Sequence, residues 1–232
     1  MTTFLILQTD INQQAAQATA AGATELSMPF IDMAMKGGWL MLPIFLLSLV
    51  AVYIFFERFF AINKAAKIDI NFMNRIKDYI HDGKLDAAVA LCQSYNNPAA
   101  SMVEKGIRRI GRPLQDVNTA IENVGNLEIA SLEKTLYLLA MSAGGAPMIG
   151  FLGTVTGMVR AFYDMAHAGN NIDIQLLSSG IYQAMVTTVA GLIVGILAYF
   201  FYNILTAKIA KVVNMLEATT MEFMDLLNEP AK

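Results

Sequence analysis

The stretch Thr135 to Val159, TLYLLAMSAGGAPMIGFLGTVTGMV, decides how this chain is read. It is 25 residues long and carries no charge. At ~1.5 Å per residue, a helix of that length outreaches the hydrocarbon core of a bilayer. Its small residues are ordered: Gly150, Thr154, Gly157 and Ala161 follow at three- and four-residue steps and share one face. A second uncharged run holds Gln183, Thr187, Thr188, Gly191 and Gly195. Within it Ala184, Thr188, Gly191, Gly195 and Ala198 again fall on one face. Small faces let membrane helices approach closely, or line a narrow polar path. Neither run contains a carboxylate, so neither can itself bind and release a proton. The titrating group must come from a partner.

Working outward, a third apolar run spans Gly37 to Phe56, bounded by Lys36 and Glu57. Trp39 at its start and Tyr53, Phe59 and Phe60 near its end are placed as interfacial aromatics. Three spans are therefore expected, at 37–56, 135–161 and 181–207. Composition agrees: 56% of residues are hydrophobic and 15% charged, against about 25% charged in soluble domains, and mean hydropathy is +0.48. The fold class is an all-α integral membrane protein, with two of its membrane helices extended into a helical cytoplasmic domain. A single cysteine, Cys92, excludes an intrachain disulfide and reads as a helix core residue. Met1 to Gln8 lacks the basic region and the long apolar run of a cleaved signal peptide. Residues 8–27 are Gln-, Ala- and Thr-rich and read as poorly ordered.

Basic residues set the orientation. Eleven of the 16 Lys and Arg lie between spans one and two, from Arg58 to Lys134. From the outer end of span two to span three there is only Arg160, with Asp164 and Asp173. Segment 1–36 is thus expected outside, 57–134 in the cytoplasm, 162–180 as an outer loop, and 208–232 as a cytoplasmic extension. Segment 57–134 reads as helices. Phe72, Ile76, Tyr79 and Ile80 form a stripe closed by Asp82-Gly83, and Leu85 to Cys92 form a second. Asn97-Pro98 opens a third helix and Arg112-Pro113 a fourth, which is expected to run from about residue 114 through the second span. After span three, Val212, Leu216, Thr219, Phe223 and Leu226 keep a helical period. This predicts an amphipathic rod reaching ~30 Å into the cytoplasm. The apolar surface on such rods suggests a ring of subunits.

The chemistry rests on neutral groups. Span two runs outward and span three inward, which puts Thr154 and Thr188 each ~10 Å below the outer boundary. Gln183 sits about a turn above Thr188, and Thr187 is expected to point toward a neighbouring subunit. Repeated around a ring, these side chains form a collar able to order water or stabilise a carboxylate without holding charge. Gly150, Gly157, Ala184, Gly191 and Gly195 are expected to form the wall along which a partner helix moves. Packing alone is the competing reading of every one of these residues, and threonine can also bond back to its own helix. Arg160 reads as a snorkelling anchor. No phosphate loop, metal cluster, or nucleophile with its base is visible. No cofactor, enzymatic activity or nucleic-acid binding is expected.

Pro147 to Met158, PMIGFLGTVTGM, together with Gly180 to Gly191, GIYQAMVTTVAG, resembles the signature of the ExbB/TolQ/MotA proton-channel family, most closely ExbB. The resemblance covers about residues 30 to 228. It implies a homopentamer around an ExbD-like single-span partner whose membrane aspartate carries the proton, and a TonB-like protein that transmits work to outer-membrane transporters. It also implies a bacterial inner-membrane location, with an envelope-maintenance role like that of TolQ, or a motility stator, as alternatives. By motif position the family's pore threonines correspond to Thr154 and Thr188. One position departs: members carry a glutamate in the third span where this chain has Gln183. Two readings from other classes stand beside it, a non-conducting membrane scaffold and a free-standing ion channel.

Overall fold

The structure, a computed structural model, describes residues 37–67, 69, 71–95, 97–167 and 174–228. The whole of the expected outer segment 1–36 and the middle of the expected outer loop, 168–173, lie outside the described residues. Among the described residues there are seven helices and no strand: α1 (Met41–Ala65), α2 (Phe72–His81), α3 (Leu85–Ser94), α4 (Pro98–Ile107), α5 (Leu114–Glu133), α6 (Leu136–His167) and α7 (Ile174–Asn228). Three stretches are long and apolar enough to cross a membrane: α1, the run through α5 and α6, and α7. At ~1.5 Å per residue α7, with 55 residues, is about 80 Å long.

Local chemistry explains the ends of the short helices. Asn97 is extended and its side chain accepts from the Ala100 N–H at 2.8 Å, with Pro98 in the first turn where no donor is needed. Gly83 takes φ +72°, and the Lys84 N–H returns to the Tyr79 carbonyl at 2.9 Å, closing α2. The run from Leu114 to His167 continues as expected but is interrupted at Lys134–Thr135. Both outer helix ends also run further than expected: α6 continues to His167 and α7 begins at Ile174, inside the predicted loop.

The chain divides into two compact units. One comprises the described residues of Met1–Ile44 and Met148–Gly191; the other, Phe45–Pro147 with Leu192–Lys232. The second has a core of large side chains. Phe72 and Ile76 of α2, Val103 of α4, Val117 and Ile121 of α5, and Leu205, Val212, Leu216 and Phe223 of α7 are all nearly inaccessible. Val212, Leu216 and Phe223 of the stripe predicted on the α7 rod are therefore covered by helices of the same chain, while Thr219 and Leu226 are half-buried. Gly106 makes this possible, because a Cβ there would meet the Phe223 ring and Ile121 Cδ1 at 2.8 Å. A clasp ties the chain leaving α1 to the α3–α4 turn: Tyr95 Oη donates to Asp69 at 3.0 Å, and Asn97 Nδ2 to the Lys67 carbonyl at 3.2 Å. The Asn71 N–H, and then the Tyr95 hydroxyl, hold the Asp69 carboxyl below its ordinary range. Burial, with a contribution from Glu104, pushes the Cys92 thiol up to about 12, as befits the core role read from sequence. Also within this unit, Pro147 stands inside α6. Proline has no N–H to give to the carbonyl four residues earlier. That carbonyl, of Ala143, lies 3.0 Å from where a Cβ on Gly195 would be, and the Pro147 ring also occupies that position.

Candidate functional site: the small-residue seam of α6 and α7

In the first unit α6 and α7 meet along a seam of residues with little or no side chain. A Cβ on Gly150 would lie 3.0 Å from the Thr187 carbonyl oxygen and 3.3 Å from Gly191 Cα. One on Gly157 would lie 2.8 Å from Ala184 Cβ, and one on Gly180 would lie 2.7 Å from Ala161 Cβ. One on Gly153 would overlap the Thr187 hydroxyl. Backbones this close are held by dispersion over many contacts and by polar bonds between helices. One such bond is present: Thr188 Oγ1 donates to the Gly150 carbonyl at 2.9 Å.

Several residues singled out from sequence come together here, though not all in the expected way. Gly150, Gly157, Ala184 and Gly191 do share the small face, but α6 and α7 of one chain fill it between them, so it is not an open wall. Thr187 is a correction. Expected to face a neighbouring subunit, it is 1% exposed and packs on Gly153 of its own chain. Successive helical residues are only about 100° apart, and bare glycines bring the helices close enough to engage Thr187 and Thr188 together. Thr154 is half-buried and donates to the Phe151 carbonyl at 2.6 Å, within its own helix. Gln183 lies under the turn before α1: a Cβ on Gly38, which has φ +71°, would overlap the Gln183 amide.

Sequence reasoning under-weighted Gly153 and Gly180 and missed the contact of Gly37-Gly38 altogether. The first two were visible as further small residues on the same helices; nothing in the sequence pairs Gly38 with Gln183. A small cavity of about 80 Å³ is lined by Trp39, Thr156, Arg160, Gln183 and Thr187 among others. It has room for a few waters. Arg160 itself is exposed, with Asp164 4.0 Å away.

The chemical character of the seam is uniform. Thr154, Thr156, Thr187 and Thr188 all donate their hydroxyl protons to backbone carbonyls. Each oxygen keeps lone pairs and can accept. No acid, base or thiol stands in α6 before Arg160 or in α7 before Lys208. Among the described residues no group of His, Cys, Asp and Glu is placed to hold a metal ion.

Fold and seam together define a multi-pass helical membrane protein with two close-packed spans that offer hydroxyls but no titrating group. Residues 94–218 match the model of the MotA/TolQ/ExbB proton channel family, and the chain belongs to that family. It is 30% identical over 190 residues to the biopolymer transport protein ExbB-like 1 of Synechocystis, covering 76% of this chain and 70% of that one. It is also 30% identical over 135 residues to an ExbB homolog of Methanothermobacter thermautotrophicus, 58% of this chain and 47% of the relative, so it spans about half of that protein. To the Tol-Pal system protein TolQ of Haemophilus influenzae it is 36% identical over 100 residues, 43% of this chain and 42% of the other.

Proposed function

We propose that this protein is the channel-forming subunit of a proton-motive-force-driven motor, most like ExbB, in a bacterial inner membrane. Segments 1–36 and 162–180 face outward, and 57–134 and 208–232 face the cytoplasm. Copies of the chain form a ring, a pentamer by resemblance, around an ExbD-like single-span partner whose membrane aspartate carries the proton. A TonB-like protein then passes the work to an outer-membrane transporter. The observation that carries this reading is the neutrality of the seam. Its threonine oxygens are acceptors whose own protons are already committed, and an acceptor surface suits a protonated carboxyl, which donates, better than a carboxylate. Thr154, Thr156 and Thr188 keep enough exposure to serve; Gly150 and Gly191 act from behind, by fixing the two helices. With Gln183 in place of an acid, this chain supplies no proton carrier of its own. Each proton crossing releases ~2.3 kcal/mol per 100 mV, enough to bias a partner-helix movement.

The identity to TolQ favours a second reading, a Tol-Pal-type role in envelope maintenance, with the same mechanism and a different load. Proton flux into vesicles tests the shared mechanism. The chain alone is expected to give background flux, and the chain with its single-span partner a clear increase that an Asp→Asn change in the partner's span abolishes. Strong flux from the chain alone would overturn it.

A further inference from the structure

The interruption at Lys134–Thr135 is a built joint. In an unbroken helix the Ser131 carbonyl would accept from the Thr135 N–H. Here it accepts from the Arg58 guanidinium of α1, Nη1 at 3.0 Å. The α5 helix ends at Glu133, and Lys134 keeps helical dihedrals, φ −46° and ψ −32°, so the chain turns at the joint without leaving the helical region.

The Thr135 hydroxyl carries the same mark. Thr119, Thr154, Thr156, Thr187, Thr188, Thr219 and Thr220 each donate to a carbonyl three or four residues earlier. Thr135 does not, and the carbonyl four residues before it is the one Arg58 occupies. Among the described residues, two buried side-chain polar atoms lack a partner: Thr135 Oγ1 and Arg58 Nε. A buried polar atom left unpaired is costly. Both lie at this one turn: one is on the residue that would bond the Ser131 carbonyl in a continuous helix, the other on the side chain that bonds it here. Arg58 is further held by Glu57, Nη2 to Oε1 at 3.2 Å, and its side chain is only 13% exposed.

We propose that Arg58 is a positioning residue that holds the α5–α6 joint open, and that the Ser131 carbonyl is a switched acceptor. In the second state the Thr135 N–H and hydroxyl take that carbonyl, 114–167 becomes one continuous helix, and Arg58 is released. The joint lies where α5 meets α6, so the two states change how rigidly one helix follows the other. The inference stands on this geometry and is independent of ion conduction.

Amide hydrogen exchange of the full chain in lipid nanodiscs tests it. Arg58→Met keeps the stem and deletes the donors. Exchange at Lys134–Leu136 is expected to slow about tenfold, as a freed carbonyl gains a backbone bond, while Arg58→Lys stays near wild type. A structural staple would do the opposite. Unchanged or faster exchange in Arg58→Met would overturn the proposal. If Arg58→Met does not fold, Thr135→Val decides, since it removes only the orphan hydroxyl. Faster exchange at Lys134–Leu136 supports the switched acceptor, and exchange equal to or slower than wild type refutes it.

Discussion

The seam of α6 and α7 and the core of the helical body solve the same problem with opposite materials. The body excludes solvent by volume: Phe72, Ile76, Ile121, Leu216 and Phe223 fill space between short helices. The seam excludes it by absence: Gly150, Gly153, Gly157 and Gly180 let backbone lie on backbone. In water, burying large apolar groups drives assembly. Within a bilayer that drive is gone, and closeness with polar bonds between helices takes over. The two regions should therefore respond in opposite senses to the addition and removal of atoms.

The largest effect belongs to the body. Phe223→Ala, which empties the space over Gly106, is expected to cost about 3–5 kcal/mol, read from thermal or denaturant unfolding in detergent. The direct test of the contrast changes one methyl in each region. Gly153→Ala adds a carbon where Thr187 already stands, and is expected to cost about 1–3 kcal/mol. Ile76→Val removes one from the body, at about 0.5–1.5 kcal/mol. If Ile76→Val proves the more damaging, the seam is not close-packed in the membrane and the contrast fails. The smallest effect at neutral pH concerns Cys92. Its thiol is raised from 9.0 to about 12 in the fold. The folded state then holds a proton that the unfolded state loses, so this contribution to stability is complete below pH 9 and drains away as pH rises toward 12. Maleimide should label Cys92 at neutral pH only after unfolding, and a pH titration of unfolding should show the loss on the alkaline side.

How much of this was legible in the sequence differs between the same two regions. The seam was legible because small residues at three- and four-residue steps have one geometric meaning on a helix, whatever surrounds it. What covers that face was not: periodicity says that Ala184 and Gly191 look the same way, not whether α6 of the same chain or another protein lies opposite. Thr187 was misread for a related reason, since the width of an interface depends on how far the glycines let the helices close. In the body, Asn97-Pro98 and Asp82-Gly83 announced their caps locally. The cover over the α7 stripe at Val212, Leu216 and Phe223 comes from residues about 90 or more positions earlier in the chain, Gly106 and Ile121 at Phe223 among them, and only folding reveals it. The Lys134–Thr135 joint was invisible because its cause, Arg58, sits on another helix.

Pro147 and Gly195 show what such packing implies for how the chain can vary over time. The proline ring fills the space a side chain at 195 would need, and it strips the Ala143 carbonyl of its helical donor beside that same glycine. Each residue is permissible because of the other. Replacing Gly195 alone meets a ring. Replacing Pro147 alone opens a gap beside a residue with no side chain to fill it. The two positions behave as one heritable unit: a lineage that loses the proline removes the larger obstacle at 195 and leaves the Ala143 carbonyl, 3.0 Å away, as what still favours glycine there.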